Sequence, residues 1–319
     1  MNIDYSYYTL ESKNEESSST IAPQHKGALL KIKFEDDLIG YADCHPWPEM
    51  GDKPVEDQLA ELRQRRTTAL MRCSLRFARL DAEARNRSQC LLDHKAVPSS
   101  HFLITDLLAW TPQAVEQLIQ QGYTHVKIKL GKHLGQEIAH LLQLFCASPL
   151  KLRLDFNEKL SADEFRAFLR AIEKIKSSIE FIEDPTVFQP LQWKEFQENY
   201  EIALACDRQA AAALHWPESA QFLIVKPAIE SIDVFEKALR EKVIITSYLD
   251  HPLGQLAAAY IAAQTDPQRL KVHGLLSHYT YLPNIFSQGL AQQGPHFITP
   301  SGVGFGYDEQ LSQVDWKAL

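Results

Sequence analysis

From His101 to His278 the chain alternates short apolar runs with amphipathic stretches, and this alternation narrows the possible folds more than any other feature. Candidate strands fall at His101–Leu108, His125–Leu130, Leu150–Phe156, Ile179–Glu183, Ile202–Asp207, Phe222–Lys226, Val243–Leu249 and His273–His278. Helical patterns at Thr111–Gln121, Gln136–Cys146, Ser161–Lys176, Leu191–Tyr200, Ser231–Glu241 and Gln255–Gln264 separate most of them. Repeated βα units imply a parallel sheet. Eight strands fit a closed (β/α)8 barrel of the α/β class better than an open doubly wound sheet. The Ala-rich segment Arg208–Ala220 is short, so a reduced helix is expected there.

Three of these runs end in an acid. LKLRLDFNE alternates apolar and charged residues with the period of a strand and reaches Asp155; IEFIEDP reaches Glu183 and IALACD reaches Asp207. Barrel active sites lie at the C-terminal strand ends. Three neighbouring carboxylates there would repel one another unless a cation neutralised them. A lone acid more often caps a helix or pairs with a lysine, but three in register favour a metal. Oxygen donors without His or Cys suit Mg²⁺ or Mn²⁺ better than zinc.

Lysines complete the pattern. HVKIKL puts Lys127 and Lys129 on one face of the second strand, pointing into the barrel, and FLIVKPA puts Lys226 at the end of the sixth. Ammonium groups inside a barrel are costly unless paired or functional. A lysine near a metal has a depressed pKa and serves as a general base. The constellation suits removal of a proton α to a carboxylate, with the cation stabilising the enediolate and the lysine held close to the carbon.

The first part of the chain reads differently. Tyr5–Leu10, Ala28–Phe34 and Ile39–Cys44 look like strands, followed by a helical pattern from Val55 to about Arg87. Glu11–Lys26, rich in Ser and Glu, reads as a loop, either a lid over the site or an inert surface segment. PSGVGFGYDEQ, residues 300–310, has turn chemistry. The expected partition is an α+β domain over 1–98, completed by 299–319 folding back onto it, and a barrel over 99–298.

A net charge of −8 argues against nucleic acid or an anionic membrane as the main partner. The Arg-rich run from Arg63 to Arg87 has interleaved acids and helical period, so it reads as a solvated helix face. Five cysteines without CxxC spacing suit reduced thiols, and no segment has the length and apolarity of a membrane span. The first residues show neither a basic region nor an apolar core, so a cytoplasmic protein acting on a small-molecule carboxylate is expected.

The order Lys127-Ile128-Lys129, Asp155-Phe156-Asn157, Glu183-Asp184-Pro185, Asp207 and Val225-Lys226-Pro227 resembles the enolase superfamily, in its muconate-lactonizing-enzyme-like branch with a K-x-K motif. Within that branch LRLDFN, the compact length and ITSYLDHPLG are similar to the o-succinylbenzoate synthase family. The resemblance implies a modified TIM barrel, (β/α)7β, with an α+β cap. It also implies dehydration of 2-succinyl-6-hydroxy-2,4-cyclohexadiene-1-carboxylate to o-succinylbenzoate. By that analogy Lys129 takes the α-proton and Lys226 stays protonated on the other face. Asp155, Glu183 and Asp207 hold Mg²⁺, and Lys127, Arg153, Asn157 and Ser247 contact substrate. The chain departs from the family pattern at Tyr41-Ala42-Asp43, at Arg208-Gln209 after Asp207, and at Asp250-His251. Rival readings are an N-acylamino acid racemase, a dipeptide epimerase and a non-catalytic anion-binding barrel. HGLLSHYTY lacks the D-x-D expected of a dipeptide epimerase.

Overall fold

The structure, a computed structural model, describes residues 1–13, 24–92, 97–233 and 242–319. Most of the loop read over Glu11–Lys26 and most of the helix read over Ser231–Glu241 lie outside the described residues.

The N-terminal part is an antiparallel sheet of β1 (Asn2–Glu11), β2 (Gln24–Lys33) and β3 (Ile39–Cys44), backed by α1 (Val55–Arg63) and α2 (Ala69–Asn86). β1 pairs with β2 from Asn2↔Lys33 to Glu11↔Gln24. The single helical pattern read after Val55 is two helices. Arg65 breaks it at φ 59°, a left-handed conformation, and Thr68 then restarts the helix by accepting the Met71 N–H on its hydroxyl at 3.1 Å.

The barrel follows as seven parallel strands in sequential order: β4 (Phe102–Ile104), β5 (His125–Lys129), β6 (Lys151–Asp155), β7 (Ile179–Glu183), β8 (Leu204–Cys206), β9 (Phe222–Val225) and β10 (Val243–Ile245). The run read as an eighth strand, His273–His278, is not one. It closes the ring through two isolated bridges, Ser100↔His273 and Thr246↔Gly274, and then turns at His278–Thr280. Residues expected to pair side by side are instead held one at a time. Phe181, Ala205, Ile224 and Ile244 fill the lower interior. The crossovers stay short where the sequence is: the helix after β8 is only Ala210–Ala213. Ser161 caps the helix Ala162–Ala171 in a reciprocal box with Glu164.

The chain's last segment returns to the first sheet. Lys317–Ala318 pairs antiparallel with β1, and the Leu319 N–H donates to the Ile3 carbonyl at 2.9 Å. On the way Phe305 N–H donates to Asp81 Oδ1 at 2.7 Å, and Arg85 bridges Asp81 and Asp308. Gly304 permits this: it has φ +62°, and a Cβ there would stand 2.0 Å from Asp81 Oδ1.

Where this cap meets the barrel, a buried carboxylate, Asp250, faces a half-buried one, Asp43. Asp43 is the last residue but one of β3 and Asp250 follows β10; a Cβ on Gly254 would lie 2.5 Å from Asp250 Oδ2 and 2.8 Å from Asp43 Oδ2. Tyr8 donates its hydroxyl to Asp43 Oδ1 at 2.6 Å and His251 N–H donates to Oδ2 at 3.2 Å. Burial, then the charge of Asp250, pushes Asp43 well above the usual range; burial lifts Asp250 to about 7. The folded pair therefore holds protons that the unfolded chain has released, and stability is lost as pH rises from the unfolded value of about 4 through about 7. Asp250→Asn removes one of these titrations while keeping a polar group in place. Thermal melts from acid to neutral pH are expected to show a shallower fall for the variant, by up to about tenfold in folding equilibrium per pH unit. Parallel pH profiles for the two proteins would show that the pair holds no extra proton.

Candidate active site

Register across three strands builds the centre. Lys129 on β5 stands opposite Asp155 on β6, and Asp155 opposite Glu183 on β7, so the three side chains share one row at the C-terminal rim. Lys127 lies one layer down, opposite Arg153. Asp207 follows β8 and Lys226 follows β9, bringing a further acid and amine to the same cavity. Asn157 and Ser247 line it as well.

The charges pair closely. Lys127 Nζ donates to Glu183 Oε1 at 2.6 Å and stands 3.1 Å from Asp155 Oδ2; Lys226 Nζ donates to Asp207 Oδ2. Burial works against both ammonium groups, but Asp155 and Glu183 outweigh it at Lys127, and Asp207 does so at Lys226, so both are held above the usual lysine range. Lys129 differs. Among the described residues no carboxylate comes within ion-pair distance of it, and burial pulls its pKa down. Asp155 is also buried, yet Lys127 and Lys129 keep it below the ordinary carboxylate value. Glu183 is pushed up to about 7 by burial and by Asp155, with Lys127 compensating in part. Its Oε2 is buried with no hydrogen-bond partner among the described residues. As they stand, no three described acid, His or Cys side chains are gathered around one point, because the lysines lie between the carboxylates.

Backbone geometry fixes these positions. Asn157, at φ 50°, turns back to donate both its N–H and its side-chain amide to Asp155 Oδ1, at 3.1 and 2.9 Å. Asp184 accepts the N–H groups of Asp207 at 3.1 Å and Arg208 at 3.0 Å, and so anchors the loop that carries Asp207. Glu230 accepts the Lys226 N–H at 3.1 Å. In the sequence Asp184 is visible only as part of an E-D-P motif, and nothing in it signals Glu230. The cap supplies a roof: Trp47 and Met50 line the cavity, and Trp47 Nε1–H donates to the Tyr248 carbonyl at 2.7 Å. Trp47 stands in the H-P-W-P run, whose aromatic among prolines is the signal that sequence reading passed over.

Arg153 is the exception among the residues expected at the substrate. It is fully buried beneath the cavity and does not line it. Its guanidinium lies 5.0 Å above the Phe181 ring and donates to Glu180 Oε2, His101 Nδ1 and the Val272 carbonyl at 2.6, 2.9 and 2.7 Å. Each of its three nitrogens has a partner within the protein, and the side chain is fully buried. The structure thus brings Lys127, Lys129, Asp155, Asn157, Asp207, Lys226 and Ser247 together around one cavity, with Glu183 held just behind them.

Comparison with known proteins gives the chain's family. A family model described as O-succinylbenzoate synthase, N-terminal domain, matches residues 3–84, and one described as Enolase C-terminal domain-like matches 110–221. An o-succinylbenzoate synthase of Bdellovibrio bacteriovorus is 33% identical over 331 aligned positions, covering 99% of this chain and 98% of the relative. The chain belongs to the o-succinylbenzoate synthase family of the enolase superfamily. The fold is shared more widely. The L-Ala-D/L-Glu epimerase of Bacillus subtilis superposes with a TM-score of 0.78 at 17% identity, over 95% of this chain and 97% of that one. The o-succinylbenzoate synthase of Thermosynechococcus elongatus, solved with Mg in its active site, gives 0.65 at 19% identity, over 88% and 94%.

In this member of the o-succinylbenzoate synthase family, Lys127 is the cation that lets Asp155 and Glu183 lie side by side. Lys127→Met leaves the two acids facing each other. The raised Glu183 already costs stability as pH climbs from its unfolded value of about 4.5 through about 7. The variant is expected to lose more between acid and mildly alkaline pH than the parent, in thermal melts with chelator present. An equal loss would mean that Lys127 does not neutralise the pair.

Proposed function

We propose that the chain dehydrates 2-succinyl-6-hydroxy-2,4-cyclohexadiene-1-carboxylate to o-succinylbenzoate, an aromatising step of menaquinone biosynthesis, with Mg²⁺ or Mn²⁺ as cofactor. The observation that carries the chemistry is Lys129: a half-buried lysine with a lowered pKa, in register with Asp155 and Glu183. The choice of substrate rests on the near full-length likeness to the Bdellovibrio bacteriovorus synthase.

The donor set fits a hard cation. Asp155, Glu183 and Asp207 offer carboxylate oxygens only, and Glu183 Oε2 is a buried acceptor with no partner among the described residues. These three would hold the ion, whose positive charge acidifies the carbon-bound proton beside a substrate carboxylate. Lys129 Nζ takes that proton from ring carbon 1. The electron pair moves into the ring, the bond from carbon 6 to its hydroxyl breaks, and Lys129 returns the proton to the departing hydroxide as water. Lys226, kept charged by Asp207, stabilises the electron-rich ring from the other side. Lys127 balances charge beside the carboxylates, and Asn157 holds Asp155 in place.

A racemase acting on N-acylamino acids is the second reading, because Lys129 and Lys226 enter one cavity from separate strands and could serve opposite faces of a carbon. A dipeptide epimerase is disfavoured, since the run HGLLSHYTY lacks the D-x-D that would bind the ammonium group.

Dehydration is expected to stop with EDTA, to return with Mg²⁺, and to fall by about 10²–10⁴-fold in Lys129→Ala. Full activity after both treatments would overturn this mechanism. Run in D₂O, the wild-type enzyme separates the readings: deuterium entering an N-acylamino acid without any dehydration of the cyclohexadiene would select the racemase.

A further inference from the structure

Arg153 has three donating groups engaged inside the barrel, and one of them decides the state of a neighbour. Its Nη1 lies 2.9 Å from His101 Nδ1. A guanidinium has hydrogens to give and no lone pair to accept with, so Nδ1 is the acceptor and the imidazole proton sits on Nε2. Burial, then the charges of Arg153 and Lys127, keeps this ring well below the usual histidine pKa, which makes it neutral.

The ring belongs to the cavity. His101 lines it beside Lys127 and Gly274, and its backbone N–H is tied to the His273 carbonyl at 2.8 Å across the seam that closes the barrel. The space it occupies exists because residue 274 has no side chain: a Cβ there would stand 2.6 Å from His101 Cε1 and 2.8 Å from Nε2. Neutral polar groups gather on this side. The Ser247 and Ser277 hydroxyls are 3.0 Å apart, and Thr246 lines the same wall. The acids stand on β6, β7 and beyond β8, so the cavity has a charged wall for the reacting carboxylate and a neutral wall at the β10–β4 seam.

We propose that Arg153 is a positioning residue that fixes His101 as the Nε2–H tautomer, and that this N–H is a specificity-determining hydrogen-bond donor to an oxygen on the arm of the substrate remote from Lys129. This rests on the reaction proposed above, where that arm is a keto acid. A buried donor built for such an oxygen discriminates strongly against analogues that lack it, because the N–H is then left unpaired.

The test uses full-length, Mg²⁺-supplied protein with ¹⁵N-labelled histidine. The His101 ring is expected to show a protonated Nε2 and a bare Nδ1, unchanged between about pH 6 and 9, and addition of o-succinylbenzoate should shift the Nε2–H resonance. His101→Phe should raise KM by about tenfold or more with a smaller effect on kcat, and His101→Gln, which keeps an N–H, should recover most of the loss. Arg153→Met should leave His101 as a mixture of tautomers. A proton on Nδ1 in the wild type overturns the inference even if the Phe variant fails to fold. Wild-type turnover with a product-insensitive His101 resonance and an unchanged KM in His101→Phe overturns it too, and leaves the reaction standing. No turnover, with the resonance still moved by o-succinylbenzoate, overturns the reaction and leaves the donor in place.

Discussion

Three lysines and four acids crowd one barrel mouth, and their charges must balance where little water reaches them. Lys127, Lys129 and Lys226 stand among Asp155, Glu183, Asp184 and Asp207, all of them within or directly beneath one cavity. Burying an unpaired ion costs several kcal/mol, and the cost falls only when a partner lies within hydrogen-bond range. Lys127 and Lys226 meet that condition for Asp155, Glu183 and Asp207; backbone N–H groups meet it for Asp184. Lys129 and Glu183 Oε2 are what this pairing leaves over. The leftover amine has its pKa lowered by burial, the direction that the proposed base requires. A leftover carboxylate oxygen prefers a cation. The reactivity of the site is thus the residue of an electrostatic balance that the rest of the barrel has satisfied.

The cap takes part in that balance through two short connections. One runs from Asp43 through His45 to Trp47 and Met50, the other from Ser247 through Tyr248 and Leu249 to Asp250. Each has a cavity-lining residue at one end and a member of the carboxylate pair at the other. Trp47 is bonded to the Tyr248 carbonyl, and Tyr281 donates its hydroxyl to the Leu249 carbonyl at 2.6 Å. Leu249 is held at φ 51°, a conformation costly for a branched side chain and stable only where neighbours enforce it. The departures from the family pattern at Asp43 and Asp250 therefore fall where cap meets barrel, on segments other than those that carry Asp155, Glu183 and Asp207.

The barrel and its acidic rim were legible because they depend on periodicity and on strand ends. Alternation in LKLRLDFNE assigns a face, and apolar runs closed by acids assign a rim; both are local properties that tertiary packing preserved at Asp155, Glu183 and Asp207. What failed was decided by contacts distant in sequence. The eighth strand has the right residues, but the seam needs room for the His101 ring, and Gly274 serves that need instead of a regular ladder. The break at Arg65 lies in a run of helix-forming residues, so propensity gave no warning; the turn is set by how α1 and α2 lie on the sheet. Asp184 and Glu230 act on backbone N–H groups, and no side-chain pattern records that.

Arg153 shows the limit most clearly. Its position two residues before Asp155 places both on the same face of one strand, and that much is correct. Two residues along a strand are also roughly 6.6 Å of depth, more than the width of a side-chain layer. In a tilted barrel that distance separates a residue at the rim from one in the packed interior. A lysine one layer down, Lys127, still reaches the carboxylates because its stem is long and unbranched. Arg153 cannot follow, because Glu180, His101 and the Val272 carbonyl bind its planar head on three sides, with Phe181 beneath it. Sequence spacing specifies which way a side chain points. How far it travels depends on what it meets, and for Arg153 those partners come from β7, from the residue just before β4 and from the seam.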